Sequence, residues 1–167
     1  MTGVVVILIV VLAWGGIVGL MLLGWRGRGR RQELLLGAFP DVPATLGPRR
    51  LGPHTGLYVG STIAPSWQDR VAVGDYGDRA VAEISRFDAG ILIDRTGANP
   101  IWIPDDQITA IRTERGLAGK VMTADGVLVI RWLLPSGTEI DSGIRADDKT
   151  IYPEWVKPLE QDGKKKQ

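Results

Sequence analysis

Residues 3–25, GVVVILIVVLAWGGIVGLMLLGW, form one apolar run with no charged residue in it or before it. A bilayer core about 30 Å thick takes roughly 20 apolar residues in a helix, so the run predicts a transmembrane helix over residues 1–25. Beyond residue 55 the pattern changes to short apolar runs rich in β-branched and aromatic residues, separated by turn residues. Residues 56–64, 70–73, 79–87, 90–95, 101–104, 127–134 and 138–144 read as strands. Asp105 and Asp106 open a one-turn helix that passes into a further strand containing Ile108 and Ile111. Asp125-Gly126, between KVMTA and VLVIRWLL, predicts a two-residue hairpin. This spacing of turns predicts a mainly β fold, an antiparallel β-sandwich or barrel. Ile151, Trp155, Val156 and Leu159 fall on one helical face and predict a short C-terminal helix, with Trp155 packed on the sheet. Asp147-Asp148, like Asp105-Asp106, reads as an N-cap. Trp102 and Trp132 lie in strand patterns and are expected in the core.

Between these parts, residues 32–36 extend the membrane helix by a turn. Pro40, Pro43, Pro48 and Pro53, with Gly37, Gly47 and Gly52, then break any helix. Residues 26–55 therefore read as a basic juxtamembrane segment followed by a semi-rigid linker, with His54 solvated in it. The β domain occupies residues 56–160 and a basic tail residues 161–167.

Charge orients the chain. The first charges, Arg26, Arg28, Arg30 and Arg31, directly follow the apolar run, and positive flanks mark the cytoplasmic side. An export signal has its charge before a shorter apolar core, the reverse of this order. The expected topology is a single pass through the plasma membrane, N-terminus outside and C-terminal domain cytoplasmic. Trp25 and the four arginines form the membrane-interface set, attracted to headgroups by about 1 kcal/mol per basic residue. Seven of the 20 basic residues sit in the stretches 26–31 and 164–166. Residues 32–163 therefore hold 13 basic against 19 acidic residues, a net of −6. An acidic body argues against nucleic acid as a partner.

Candidate chemistry is sparse. The chain has no cysteine and one histidine, which removes thiolate metal sites and leaves no base for the serines. RGLAGK lacks the phosphate-loop spacing. No catalytic residue, metal site or cofactor is expected. Gly15, Gly16 and Gly19 are candidates for a helix-dimer face, since Gly15 and Gly19 have the spacing that lets two helices approach closely. Trp67, between Pro65 and Gln68 in a loop, is either packed in the core or an exposed anchor that dips into the membrane interface or fills a partner's pocket, where tryptophan is enriched, and with Arg70 it is the candidate partner or lipid contact. Arg70 is the one basic residue beside it.

The stretch Ile101-Trp102-Ile103-Pro104, then Ile108 and Ile111, then Gly116 and Gly119, resembles bacterial pleckstrin-homology-like (PH-like) domains. A single N-terminal span before such a domain is similar to small actinobacterial membrane proteins. The resemblance implies two bent, roughly orthogonal sheets closed at one end by a helix, and no catalytic residues. A lipid-binding pleckstrin domain implies basic residues around its first hairpin, where this chain has only Arg70 with Asp69 beside it. The expected function is a non-enzymatic, membrane-anchored scaffold or protein-interaction module. A lipid-headgroup sensor and an accessory subunit of a membrane enzyme or transporter are the alternatives.

Overall fold

The computed structural model describes residues 2–121 and 126–157; at positions 2, 25–28, 120 and 121 it describes the backbone only. Its first element, helix α1, runs unbroken from Thr2 to Leu36. At 1.5 Å per residue this is about 50 Å, longer than a bilayer core. It is long and apolar enough to cross a membrane, and its apolar side chains from Val4 to Leu23 are exposed. The helix does not stop at the arginines. Arg, Gln, Glu and Leu all favour helix, and the first proline is Pro40. Gly37, at φ +65°, ends the helix in the left-handed conformation that glycine adopts without strain.

One face of the last two turns is docked into the β domain. Leu36 is fully buried in the main core. Gln32 donates to Arg70 O (3.2 Å) and accepts from Ala72 N (2.6 Å). Leu35 O accepts from the Thr138 hydroxyl at 2.9 Å. Leu34, on the other side of the helix, is 89% exposed.

The linker expected over residues 37–55 is instead built into the domain. Phe39 stacks on Tyr76, with ring centroids 3.5 Å apart at 17°. Leu46 O and Pro48 O accept from Ala89 N and Asp88 N. Strand β1 begins at Arg49 and runs to Ile63. Proline and glycine exclude a helix here but not an extended chain, and Pro53 falls within a register shift between Leu51 and His54, where a strand tolerates a missing N–H. His54 is accordingly not solvated. Its Nε2 is buried without a partner among the described residues, and its ring stands edge-on to Trp155 at 6.1 Å.

After β1 come β2 (Ala80–Phe87), β3 (Gly90–Arg95), β4 (Ile101–Pro104), β5 (Ile108–Glu114), β6 (Gly116–Leu117), β7 (Lys120–Val121), β8 (Val127–Leu133) and β9 (Glu139–Ala146). Seven strands make one antiparallel sheet in the order β4-β3-β2-β1-β9-β8-β5, with β6 and β7 a separate ribbon. The long β1 belongs to both halves of this sheet. From Arg49 to Tyr58 it pairs with β2, and from Gly56 to Ile63 with β9. At the overlap a Cβ on Gly56 would stand 2.8 Å from Ala146 Cα, so glycine lets the backbones close up where the sheet bends. The inward residues of both halves, among them Ile84, Ile93, Ile103, Ile130, Trp132 and Ile140, form the core. The edges β4 and β5 do not pair, and the sheet stays open.

One local expectation changes. Residues 70–73 form only an isolated bridge, Thr62 to Arg70, not a strand. Residues 122–125 of the hairpin expected at Asp125-Gly126 lie outside the described residues; among those described, β7 pairs with β6 while β8 pairs with β5 and β9. The turn between β6 and β7 is Ala118-Gly119, both at positive φ (52° and 74°), the conformation of a two-residue hairpin turn.

At the C-terminal end Asp148 caps a 3-10 turn by accepting from Thr150 N at 2.9 Å. Helix α2 (Tyr152–Val156) follows, with Pro153 in its first turn. The Tyr152 hydroxyl accepts from Ala146 N and donates to Gly126 O, and Trp155 is buried in the core. Val156 is partly exposed. Leu159 and residues 161–167 lie outside the described residues. Asp105 caps nothing; it accepts from Arg86 at 2.7 Å.

Candidate interaction site

The connection from β1 to β2 begins with a short pinned loop. Ala64 N donates to Glu139 O, Ile63 N donates to Asp69 O, and Ser66 Oγ accepts from Gln68 N and Asp69 N. Trp67 sits in this loop at 41% exposure. A fixed backbone thus presents a large aromatic ring to solvent.

Facing it is the outer side of β5, β8 and β9. Side chains alternate along a strand, so Ile111, Ile130 and Ile140 point into the core while Arg112, Arg131 and Asp141 point out. Arg131 and Asp141 are directly paired across β8 and β9. Beside them Leu117, from the β6–β7 ribbon, packs with Val59, Val127 and Val129 in a second small cluster. Gly143 makes room for it, since a Cβ there would meet Leu117 Cδ2 at 2.6 Å.

Between the ribbon and the Trp67 loop lies a cleft of about 520 Å³, lined by Pro65, Trp67, Arg112, Glu114, Arg115, Gly116, Leu117, Arg131 and Asp141. Two guanidinium groups share one carboxylate at its base. Arg112 donates from Nη1 and Nη2 to Asp141 (3.2 and 2.8 Å), and Arg131 from Nε and Nη2 (2.9 and 2.8 Å). Arg112 Nε donates to Glu114 at 2.8 Å. The Asp141 side chain is only 2% exposed, against 29% and 26% for the arginines, so the negative charge lies beneath the positive ones.

Burial pushes the Asp141 carboxyl up, but the hydrogen bonds from Arg131 and Arg112 outweigh it and hold the group below its ordinary value. A carboxyl with a depressed folded-state pKa adds stability above the unfolded-state value, near 4. That stability is lost as pH falls through the lower, folded value. Asp75 behaves alike: burial raises it, and the Asn99 N–H and Arg95 more than offset this. Asp141→Asn is therefore expected to lower stability at pH 7 by about 2 kcal/mol. That is less than for a fully buried broken pair, because the arginines remain partly hydrated. It should also flatten, without abolishing, the loss of stability below pH 4. Urea unfolding of the full chain in micelles at stepped pH checks this, and parallel curves for the two proteins would refute it.

A model of the bacterial PH domain-like family matches residues 36–160, three-quarters of the chain, over the bent sheet and its C-terminal helix. The chain belongs to this family. No curated protein and no solved structure matches it. The family match starts at Leu36, the residue through which α1 enters the PH-like core.

The residues singled out in the sequence occupy different parts of this PH-like protein. Arg30 and Arg31 lie exposed on α1, while the side chains of Trp25, Arg26 and Arg28 lie outside the described residues. Gly15, Gly16 and Gly19 have open space where a Cβ would stand. Arg70 is half-buried and donates to Gly77 O and to Ala118 O, so it braces the connection from β1 to β2 instead of lining the cleft beside Trp67. Arg112, Arg131 and Asp141 were not marked by the sequence as a site. Each is a lone charge at an outward strand position, and only the register of β5, β8 and β9 brings them together.

Proposed function

We propose that this chain is a non-enzymatic, membrane-anchored interaction module. Its α1 crosses the plasma membrane with the N-terminus outside, and its PH-like domain meets a protein partner at the cytoplasmic face. PH-like domains are generally binding or scaffold modules. The observation that carries the reading is the exposed Trp67, held by a pinned loop at a cleft on a domain docked directly onto the helix. Orientation rests on the arginines after the apolar run. The glycines at 15, 16 and 19 leave room for a second copy of the span.

A headgroup sensor has less support. Arg70, the basic residue nearest the first hairpin, already serves two carbonyls, and the body of the chain is acidic.

Two measurements test this. A reporter fused after Gln167 is expected to be active only if its chemistry works in the cytoplasm; activity outside would overturn the orientation. A photo-crosslinking amino acid at Gln68 is expected to capture a discrete protein in native membranes, and Trp67→Ala to abolish the adduct. Being partly exposed, Trp67 should cost less than about 1 kcal/mol on removal, so an unfolded variant is not expected. Crosslinks to lipid alone, or an adduct indifferent to Trp67→Ala, would count against a protein partner.

A further inference from the structure

The foot of the membrane helix carries a second candidate site, away from the Trp67 cleft. It rests on the reading that α1 crosses a bilayer. We propose that the notch between α1 and the β1–β2 connection binds the headgroup of a phosphatidylethanolamine lipid, its phosphate on Arg30 and its ammonium on Glu33.

The notch lies where α1 first meets the β domain. It has a volume of about 310 Å³ and is lined by Gly29, Arg30, Glu33, Ala72, Val73 and Gly74. That is the low end of the range for small-molecule sites. Gln32 ties its two walls together, since it bonds to both Arg70 O and Ala72 N. A Cβ at Gly29 would stand 3.8 Å from Ala72 O, so helix and connection are already in contact at its floor.

Depth selects a lipid as the occupant. The apolar run ends at Trp25 and α1 continues unbroken past it. Arg30 therefore lies about 7.5 Å beyond Trp25 along the helix, at 1.5 Å per residue. The headgroup layer adds about 5–8 Å on each side of the hydrocarbon core. Side chains on a helix lean toward its N-terminus, which here is the membrane. Arg30 thus reaches the phosphate level, and Glu33 stands about 4.5 Å farther out.

Charge order selects the headgroup. Arg30 and Glu33 are exposed and share one side of the helix. Among the described residues neither side chain has a hydrogen bond or ion pair, to the other or to any further group. The cation is nearer the bilayer and the anion farther from it. Phosphoethanolamine has the complementary order, because its phosphate is fixed to the glycerol and its ammonium ends the group. A guanidinium edge matches a phosphate, and an ammonium brings three N–H donors to a carboxylate. Phosphatidylcholine has the same net charge, but its quaternary nitrogen has no N–H to donate. Phosphatidylglycerol brings an anion and no cation for Glu33. Such a contact does not recruit the domain, which α1 already anchors. It sets how the domain sits against the bilayer.

The test is native mass spectrometry of the full chain in non-ionic micelles. The probes are phosphatidylethanolamine, phosphatidylcholine and phosphatidylglycerol with identical acyl chains. One phosphatidylethanolamine is expected to be retained at least fivefold more tightly than either of the others. Arg30→Gln should weaken all three lipids. Glu33→Gln should bring phosphatidylethanolamine down to the level of phosphatidylcholine, a split that adhesion of lipid to an apolar helix would not give. Both side chains are exposed and unpaired, so neither variant is expected to disturb folding. The comparison of lipids on the unaltered chain needs neither of them. Glycerophosphoethanolamine, the headgroup without acyl chains, should not displace the bound lipid at equal concentration. Equal retention of the three lipids, a preference for phosphatidylcholine or phosphatidylglycerol, retention indifferent to Arg30→Gln or Glu33→Gln, or displacement by the chain-free headgroup would each overturn the proposal. The anchored-module reading keeps its own reporter and crosslinking tests, so its failure and the failure of this site are read separately.

Discussion

Arg95→Ala is expected to cost about 3–5 kcal/mol of folding stability, the range for removing one partner of a buried charge pair. The Arg95 side chain is fully buried at the end of β3. Its guanidinium donates to Asn99 O (2.7 Å), Asp75 O (2.7 Å) and the Asp75 carboxylate (2.6 Å). It also lies over the rings of Tyr58 and Tyr76, at 5.0 and 5.7 Å. Alanine removes all of these at once and leaves a cavity. Asp75 keeps its Asn99 contacts and some exposure to water, so the loss should fall in the lower part of the range. Arg95→Met, which fills more of the space without the charge, should cost less than alanine. Equilibrium urea unfolding in micelles reads both. Equal costs for the two would show that packing contributes nothing at this position.

Arg95 matters beyond its own pocket because of what it holds. Tyr76 lies between the guanidinium and Phe39, and Phe39 follows the end of α1. The Tyr58 hydroxyl bonds to Tyr76 O and Ser61, and Ser61 continues to Ser142 and Trp132. This buried polar chain fixes the connection from β1 to β2 against the sheet, on the side where the helix enters.

Leu36→Ala is expected to cost about 3 kcal/mol, within the 2–5 kcal/mol usual for a buried leucine, and to loosen the docking of α1. Leu34→Ala, two residues away on the exposed side, should change stability by less than about 0.5 kcal/mol. The pair is a direct contrast in one helix turn. The same unfolding measurement decides it, and similar losses for the two would mean that α1 is not seated on the domain as described.

Much of the fold could be read from the order of the residues. The apolar run, β2, β3, β4 and β9, and the buried Trp102, Trp132 and Trp155 all follow from local pattern, because period and turn chemistry act over a few residues. The start of the domain is not legible in this way, since Pro40, Pro43, Pro48 and Pro53 signal only that no helix forms. Whether such a segment is free or packed depends on Phe39 meeting Tyr76, a contact between residues 37 positions apart. Of the candidate site, Trp67 was legible as a large ring in a loop. Arg112, Arg131 and Asp141 were not, because strand pairing across three strands assembles them, and Arg70 pointed elsewhere because backbone carbonyls claimed it.

The central claim is that the candidate membrane helix enters the PH-like domain without a flexible joint. The chain has no cysteine, so Leu22→Cys in the span and Asp94→Cys on β3 can carry a pair of spin labels. Pulsed electron-electron resonance on the full chain in lipid nanodiscs should give one narrow distance distribution, unchanged between nanodisc lipids. A flexible linker over residues 37–55 would instead spread that distance over roughly 25 Å, and a distribution of that breadth would contradict the account.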